Sequence, residues 1–273
     1  SFLLTKNSLD FLPTFNFLTI RFIIAFILSS IIFIKKMINI DKKTLKYGII
    51  LGIILYGHYA FQTLGLNFTS VSKAAFITGF NVVLVPIFST LLMKKSPNNK
   101  TIISTIVAFT GLALLTLNKN ISGINIGDIY TFICAVLFAF YIILVGKYAK
   151  NVEPISLAVI QLGVVSLLSL ITSIAIENPI IPTNYNAWIN IIILSVVCTS
   201  GAYIVQSIAQ KFTSPTHTAL IYTGEPVFAA IFGYIILGEL LNAKGTIGAI
   251  LILSGMITSE IYFKILLNKK FNK

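Results

Sequence analysis

The sequence predicts an all-α, polytopic membrane protein, and three observations support this fold class. First, 56% of the 273 residues are hydrophobic and only 10% are charged, whereas a soluble domain carries about a quarter charged residues. Second, apolar segments of about 20 residues, the length that crosses a bilayer as a helix, recur along the chain. Third, the two halves of the chain repeat each other.

Nine apolar segments are the complete predicted spans. Six of them contain no Asp, Glu, Lys or Arg, and three contain a single charged residue. A helix needs roughly 17–25 mostly apolar residues to cross the hydrocarbon core, so each segment is long enough. In chain order the segments are 11–34, 47–72, 74–93, 101–118, 129–146, 155–176, 187–210, 214–238 and 245–263.

The chain contains an internal duplication. A shift of 144 residues aligns 57–111 with 201–255 without a gap, giving 16 identities in 55 positions. The identities include Gly, Tyr, Gln and a Thr-Ser pair, which apolar bias alone does not produce. Residues 1–119 and 120–273 are therefore predicted to be two repeats of five spans. Because five is odd, the second repeat enters the membrane from the opposite side, as in the inverted repeats typical of secondary transporters.

The start of the chain is expected to belong to a tenth span. Near the start the repeat offset is 141, which pairs Pro13 with Pro154. By this offset the first span begins before Ser1, and residues 1–10 are its end. The prediction is therefore ten transmembrane helices, of which the first is truncated.

Lysines orient the predicted helices. Fifteen of the nineteen lysines fall in alternate loops or in the C-terminal tail, and four fall in the opposite loops. Lysine-rich loops lie on the cytoplasmic side, so both termini are expected in the cytoplasm. The same loops explain the net charge of +12, and no nucleic-acid partner is expected. The predicted location is the plasma (inner) membrane of a prokaryote.

A carboxylate lies at mid-membrane depth in the segment 214–238. Glu225 follows Ser214 by eleven residues, which at about 1.5 Å per residue is near the bilayer centre. A charge at this depth is costly unless it is paired, protonated or hydrated. Asn81 is its repeat equivalent, and Pro226 next to it lacks an amide donor. Glu225 is predicted either to line a cavity that binds substrate or a proton, or to be a satisfied carboxyl at a structural kink.

Other polar residues of the apolar segments are candidates for the same cavity. His58 and Gln62 are four residues apart and share a helix face, although a membrane His also serves as a hydrogen-bond partner between helices. Arg21 is predicted to be structural, either snorkelling or pairing with a carboxylate. The remaining candidates for substrate or proton contact are Tyr59, Thr78, Gln206 and Tyr222, and Pro86 joins Pro226 and Arg21 as a structural or kink position.

No motif for catalysis or metal binding is present in the sequence. It contains no HExxH, no GxSxG and no phosphate-binding glycine loop, the patterns that place the groups for those chemistries. Cys134 and Cys198 lie in apolar segments without ligand spacing and are predicted to be core residues. The protein is therefore expected to be no enzyme and to have neither a cofactor nor a metal.

The ninth predicted span resembles a known transporter family. The stretches "FTSPTHTALIYTGEPVFAAIFGYIILGE", "FTSVSKAAFITGFNVVLVPIFSTLLMKK" and "FLPTFNFLTIRF" are similar to the ninth, fourth and second spans of the EamA family of the drug/metabolite transporter superfamily. The resemblance implies two inverted five-helix repeats around a central cavity, and export or uptake of small metabolites such as amino acids or amphipathic compounds. It puts Arg21, Glu225, Pro226 and Glu239 on motif positions.

Several functions remain open at this point. The leading hypothesis is a secondary exporter of small metabolites that works by alternating access and uses the proton gradient. The alternatives are an uncoupled facilitator or exchanger, a membrane-embedded enzyme acting on lipid, and a scaffold that transports nothing. The expected partners are a small-molecule substrate, protons and the lipid bilayer, while the oligomeric state is left open.

Overall fold

The computed structural model describes residues 1–93, 98–117, 123–237 and 242–271, and this part of the chain is helical without any strand. The all-α prediction is confirmed. The helices are α1 Phe2–Leu9, α2 Thr14–Ile32, α3 Ile34–Ile38, α4 Lys42–Phe68, α5 Val71–Thr78, α6 Asn81–Met93, α7 Asn99–Thr116, α8 Ile126–Tyr148, α9 Pro154–Ile176, α10 Tyr185–Ser195, a π-turn Val196–Gly201, α11 Ala202–Gln210, α12 Pro215–Tyr222, α13 Glu225–Leu237 and α14 Ala243–Phe271.

Within the described residues, seven helical stretches are long and apolar enough to cross a membrane, and Ala243–Ser259 is a shorter apolar helix. The long stretches correspond to seven of the nine complete predicted segments, from 11–34 to 187–210. The segment 214–238, which consists of α12 and α13 separated at Thr223 and Gly224, is not among these seven stretches. The count of ten spans and their grouping into two repeats therefore stay predictions.

Short polar residues begin many of the helices. An N-terminal turn leaves backbone N–H groups without partners, and a preceding Asp, Asn, Ser or Glu side chain accepts from them. Before α8 this becomes a full capping box, in which Asn125 accepts from the amide of Asp128 and Asp128 accepts from the amide of Asn125. The other caps are Asp41 before α4, Ser70 before α5, Asn98 before α7, Glu153 before α9, Asn184 before α10 and Ser214 before α12.

Helices α2 and α9, which the repeat treats as equivalent, run antiparallel. At one end Lys36 lies 2.5 Å from Glu153, the residue before α9. In the middle Gly163 packs directly on the ring of Phe26. At the other end the carboxylate of Glu177 accepts from the first amides of α2, including that of Asn16 at 2.8 Å. The contacts therefore pair the end of one helix with the start of the other.

Helices α7 and α14, a second pair of repeat equivalents, cross closely and are also antiparallel. A Cβ added at Gly111 would lie 2.6 Å from the carbonyl oxygen of Gly248, and one added at Gly255 would lie 2.8 Å from that of Ser104. Small residues at these positions let the two backbones touch, as is typical of helix packing in membranes. The two contacts are equivalent under the 144-residue shift. Gly111 corresponds to Gly255, and Gly248 corresponds to Ser104, so each contact is the counterpart of the other.

Helix α4 lies between α8 and α9 and forms the centre of the bundle. Gly65 and Gly127 bring α4 and α8 into backbone contact, while Gly48 receives the side chain of Ile160 from α9. The largest apolar core surrounds these helices and includes Leu51 and Leu55, both fully buried. Tyr59 of α4 belongs to this core and also lines the main cavity.

Both halves of the chain carry the same helix interruption. Helix α5 ends at Thr78 and α6 begins at Asn81, while α12 ends at Tyr222 and α13 begins at Glu225. All four bounds of α5 and α6 differ from those of α12 and α13 by 144 residues. Pro226 lies in the first turn of α13, where its missing N–H is tolerated. The first copy breaks without a proline there, so Pro226 alone does not cause the interruption.

Candidate functional site

A cavity of about 380 Å³ lies where the two interrupted helices meet α4 and α8. Eight of the eleven residues singled out in the sequence line it, although they come from distant parts of the chain. These eight are His58, Tyr59, Gln62, Thr78, Asn81, Tyr222, Glu225 and Pro226. Gln206, Arg21 and Pro86 lie outside its lining. The fold therefore brings together most of the residues that were singled out in the sequence.

Glu225 is the acidic residue of the described cavity lining, and its side chain is accessible. It is the first residue of α13, and its side chain is 41% exposed. Its Oε1 accepts a hydrogen bond of 2.7 Å from the hydroxyl of Ser1. The N-terminus of a helix carries a partial positive charge, which stabilises a carboxylate at this position. The group is thus held at a helix end and remains in contact with the cavity.

Asn81 occupies the equivalent position at the start of α6, but its surroundings differ. Its Nδ2 donates to the carbonyl oxygen of Thr78 at 2.8 Å. Because that carbonyl can only accept, the amide orientation is determined, and Oδ1 points the other way. Oδ1 is buried and has no hydrogen-bond partner among the described residues. Two oxygen acceptors from equivalent positions therefore belong to one cavity, one charged and one neutral.

His58 is both a contact between helices and a wall of the cavity. Its Nδ1 lies 3.2 Å from the carbonyl oxygen of Cys134 on α8. The Sγ of Cys134 lies at the same distance, 3.2 Å, so this ring nitrogen contacts both the backbone and the thiol of that residue. The ring stacks on Phe138 with a centroid distance of 4.4 Å. His58 is thus both a contact between α4 and α8 and a residue of the cavity lining, so the two roles are compatible.

Arg21 lies behind the cavity wall and not in it. The side chain is 1% exposed, and its Nε donates to Thr199 Oγ1 at 2.8 Å. The guanidinium lies 4.9 Å from the centroid of Tyr59, a cation–π distance. Within the described part of the chain no carboxylate forms an ion pair with it. Arg21 is thus held by hydroxyls and rings, and the predicted pairing with a carboxylate is absent from these residues.

Thr199 is placed for this contact by the π-turn. Its hydroxyl also donates to the carbonyl oxygen of Leu194, five residues back, at 2.8 Å. A π-turn widens a helix by one residue per turn and is frequent at functional sites. Cys198 from the same turn lines the cavity. The π-turn therefore provides both a hydrogen-bond acceptor for Arg21 and a residue of the cavity wall.

Tyr59 and Tyr203 are repeat equivalents that contact each other. The hydroxyl of Tyr203 donates to that of Tyr59 at 2.9 Å, across 144 positions of sequence. Equivalent residues can touch in this way when they lie beside an axis that relates the two halves. Both tyrosines line the cavity. An axis relating the two predicted repeats would therefore pass beside the cavity.

Gln206 does not reach the cavity surface but supports a residue that does. Tyr222 donates its hydroxyl proton to Gln206 Oε1 at 2.7 Å. Gln206 Nε2 donates to Gln210 Oε1 at 3.0 Å, and Gln210 Nε2 donates to the carbonyl oxygen of Ile142 at 2.9 Å. Gln206 is 5% exposed and Gln210 is fully buried.

The two prolines have different surroundings. Pro226 lines the cavity directly after Glu225. Pro86 lies inside α6, which continues past it, and it lines a separate apolar groove of about 610 Å³ between α6 and α7. Glu239, which the resemblance placed on a motif position, lies outside the described residues.

Among the residues that the sequence analysis did not propose for this site, four have aromatic, thiol or amide side chains placed at the cavity or behind its wall. Phe138, Tyr203 and Cys198 line the cavity, and Gln210 supports its wall. Tyr203 could have been found, because it is identical to its repeat equivalent Tyr59. Gln210 also carries a signal, because it is a glutamine inside the apolar segment 187–210, whereas Phe138 and Cys198 have no polar or repeat signal that separates them from ordinary core residues. In the described part of the chain, no cluster of three or more His, Cys, Asp or Glu side chains could hold a metal ion.

Comparison with known proteins agrees with this geometry. The chain is 32% identical to an uncharacterized transporter of Archaeoglobus fulgidus over 94% of this chain and 80% of that protein. It is 27% identical to the uncharacterized transporter YyaM of Bacillus subtilis over 81% of this chain and 75% of that protein. A solved crystal structure, 16% identical, matches with a TM-score of 0.79 over 97% of this chain and 95% of the other. That likeness concerns the fold alone.

The family comparison covers nearly the whole chain. The model of the EamA-like transporter family matches residues 1–117 and 125–259. The match spans both predicted repeats and every residue of the cavity lining. Together with the apolar helices it identifies an integral, multi-pass membrane protein with a transporter function. This chain belongs to the EamA-like transporter family.

Proposed function

We propose that the protein is a secondary active transporter that exports small polar or amphipathic metabolites, amino acids among them, by alternating access through the cavity. The observation that carries this proposal is the pair formed by Glu225 and Asn81. Both begin a helix after an interruption, and both line one cavity inside an apolar bundle. Backbone interrupted at membrane depth is tolerated where it lines such a cavity.

The packing of the two halves supports alternating access. The equivalent helices α2 and α9 run antiparallel, and so do α7 and α14. An inverted duplication requires this arrangement, since its two copies cross the membrane in opposite directions. Two copies of similar structure can exchange conformations, which gives a second state open to the other side. We place the lysine-rich loops and the C-terminus on the cytoplasmic side of the plasma membrane.

We assign proton coupling to Glu225. It is the only carboxylate among the described cavity residues, and it is accessible there. A carboxylate that binds a proton in one state and releases it in the other couples substrate movement to the proton gradient. Asn81, its uncharged equivalent, cannot titrate and is assigned to substrate contact. His58, Gln62, Tyr59, Thr78 and Tyr222 complete the proposed contact surface.

The experiment uses full-length protein reconstituted in liposomes. Flux of a panel of radiolabelled amino acids is measured with and without an imposed pH gradient. The proposal expects flux that rises with the gradient and, in Glu225→Gln, flux that no longer responds to it. Glu153→Gln is the control, because this carboxylate lies at the start of α9 away from the cavity. Gradient-independent flux that Glu225→Gln leaves unchanged would remove the coupling.

The main alternative is an uncoupled facilitator or exchanger. The hydrogen bond from Ser1 to Glu225 supports this uncoupled alternative, because a carboxyl group that already has a hydrogen-bond partner can be purely structural. This alternative expects counterflow of labelled substrate without any dependence on protons. An enzyme acting on lipid would instead produce a new compound from labelled lipid. Rescue of cells from toxic metabolite concentrations by the complete gene would narrow the range of substrates.

A further inference from the structure

The chain of hydrogen bonds from Tyr222 lies on one side of the cavity only. It joins α12 to α11 through Gln206 and continues through Gln210 to the backbone of α8 at Ile142. Each bond is 2.7–3.0 Å long. Tyr222 lines the cavity, whereas both glutamines are buried behind it. The three helices are thus connected by side chains immediately beyond the cavity wall.

This side of the cavity is the lysine-rich side. Gln210 is followed directly by Lys211, and Ile142 precedes Lys147 by five residues. Helices α8 and α12 pack tightly there, since a Cβ added at Gly146 would lie 3.0 Å from the ring of Pro215. The cytoplasmic side of the cavity is therefore closed by close packing and by the hydrogen-bonded chain together.

The repeat equivalents of these residues are in a different state. Gln62 corresponds to Gln206 and Thr78 corresponds to Tyr222. Gln62 and Thr78 both line the cavity, and no hydrogen bond joins them. In the second half the pair is hydrogen-bonded and Gln206 is buried behind the cavity wall, whereas in the first half both residues line the cavity and are not bonded to each other. This is the asymmetry that one state of an alternating pair of gates requires.

We infer that the chain from Tyr222 through Gln206 and Gln210 to the Ile142 carbonyl is the cytoplasmic gate of the transporter. Tyr222 is its moving part, and Gln206 and Gln210 are positioning residues that hold it closed. The inference rests on the proposed function. In the opposite state the Tyr222–Gln206 bond breaks, and Gln206 faces the cavity as its equivalent Gln62 does here. A closed gate of this kind is stabilised by each buried hydrogen bond that the open state replaces with water.

Cys198 provides a reporter for the gate. It lines the cavity, whereas the second cysteine, Cys134, is fully buried. Labelling of the full-length protein by a membrane-impermeant maleimide, applied from the cytoplasmic side in inside-out vesicles, therefore measures how often the gate opens. Cys198→Ser supplies the background from Cys134. No substrate is needed, so the result is independent of the flux experiment on Glu225.

Tyr222→Phe keeps the ring and removes only the hydroxyl. Loss of one buried hydrogen bond is expected to raise the cytoplasmic labelling rate of Cys198 about 5- to 10-fold. The matched control is Tyr141→Phe, which removes a buried hydroxyl that donates to Gln161 at 2.6 Å but is no part of the chain. The inference is overturned if Tyr222→Phe leaves the rate unchanged or if Tyr141→Phe raises it equally.

A second variant covers the case in which Tyr222→Phe folds poorly. Gln210→Met has a side chain of similar length but cannot hydrogen-bond to Gln206 or Ile142, so it breaks the same chain at its other end. The same rise in cytoplasmic labelling is expected. A variant that is folded, as judged by its thermal transition, and is labelled at the wild-type rate contradicts the gate. If labelling of Cys198 rises in these variants but the wild-type protein shows no gradient-driven flux, the gate is supported and the proton coupling assigned to Glu225 is refuted.

Discussion

Replacing Gly111 by Ala tests the crossing of α7 and α14, on which the antiparallel arrangement depends. The new Cβ would lie 2.6 Å from the carbonyl oxygen of Gly248, 2.8 Å from the amide nitrogen of Ile252 and 2.9 Å from the Cβ of Leu251. None of these atoms can rotate away, because two belong to the backbone and the third is fixed to it. Ordinary contact begins at 3.4 Å, so the helices must separate by about 0.8 Å.

The magnitude follows from this separation. Forcing an extra methyl group into a packed interface costs about 1–3 kcal/mol, and a gap of 0.5–1 Å forfeits roughly a quarter to a half of each contact energy. Alanine recovers about 0.5–1 kcal/mol through its higher helix propensity. We expect a net loss of roughly 1 kcal/mol in the free energy of unfolding, which for a chain of this size lowers Tm by about 2–4 °C.

The assay is thermal unfolding of the purified full-length protein in detergent, followed by far-UV circular dichroism. Gly57→Ala is the matched control, because Gly57 is also inside a helix but its Cβ would meet only the end of the flexible Leu137 side chain, at 3.1 Å. This control is expected to be neutral or slightly stabilising. The double variant Gly111→Ala/Gly248→Ala should cost less than the two single costs together, since the first change already separates the helices.

The reasoning is refuted if Gly111→Ala unfolds at the temperature of Gly57→Ala or above it. Strict additivity in the double variant would also contradict it, because additivity indicates two separate sites. Either result would mean that α7 and α14 do not cross at these glycines.

Two further predictions concern polar contacts at the ends of helices. Asp128→Asn is expected to cost about 1–3 kcal/mol, because the carboxylate accepts from Thr69 at 2.8 Å and from Lys73 at 2.5 Å; thermal unfolding checks it, and an equal loss in the exposed Asp10→Asn would contradict it. Partial burial alone would raise the pKa of Glu153, but hydrogen bonds from Lys36 and the Ser156 amide hold the pKa below its ordinary value of 4.5. The ion pair therefore stabilises the protein above pH 4.5 and loses its effect as the pH falls through the lower folded pKa. Lys36→Met should lower the free energy of unfolding at neutral pH by less than about 1 kcal/mol, which thermal unfolding measures as a small decrease in Tm. A Tm difference between variant and wild type that persists in strong acid would refute this.

Much of the helical organisation could be predicted from the sequence, because apolar length and caps determine it locally. The predicted segment 129–146 corresponds to α8, Ile126–Tyr148, and the difference at its start is the Asn125 capping box. The 144-residue shift also identified Asn81 and Glu225 as equivalents, and both begin helices. The interruption before Asn81 was not predicted, because no proline marks it.

The partners of the polar residues could not be predicted in the same way. His58 lies against Cys134, and Arg21 donates to Thr199; both contacts join residues far apart in sequence through the packing of three or more helices. Arg21 was expected either to snorkel or to pair with a carboxylate, because a buried cation needs compensation. Hydroxyl groups and aromatic rings provide the compensation here, and no residue pattern signals this choice.

The π-turn Val196–Gly201 records a difference in length between the two halves. The repeat offset is 141 at Pro13 and 144 at Gly57, so the stretch from Pro154 to Gly201 is three residues longer than its equivalent in the first half. A wide turn absorbs one additional residue while the helix after it keeps its orientation. Deleting one residue there would leave α11 facing the same way yet withdraw Thr199 from Arg21. The π-turn thus supports a buried cation, whereas its equivalent in the first half, residues 52–57, lies within the regular helix α4.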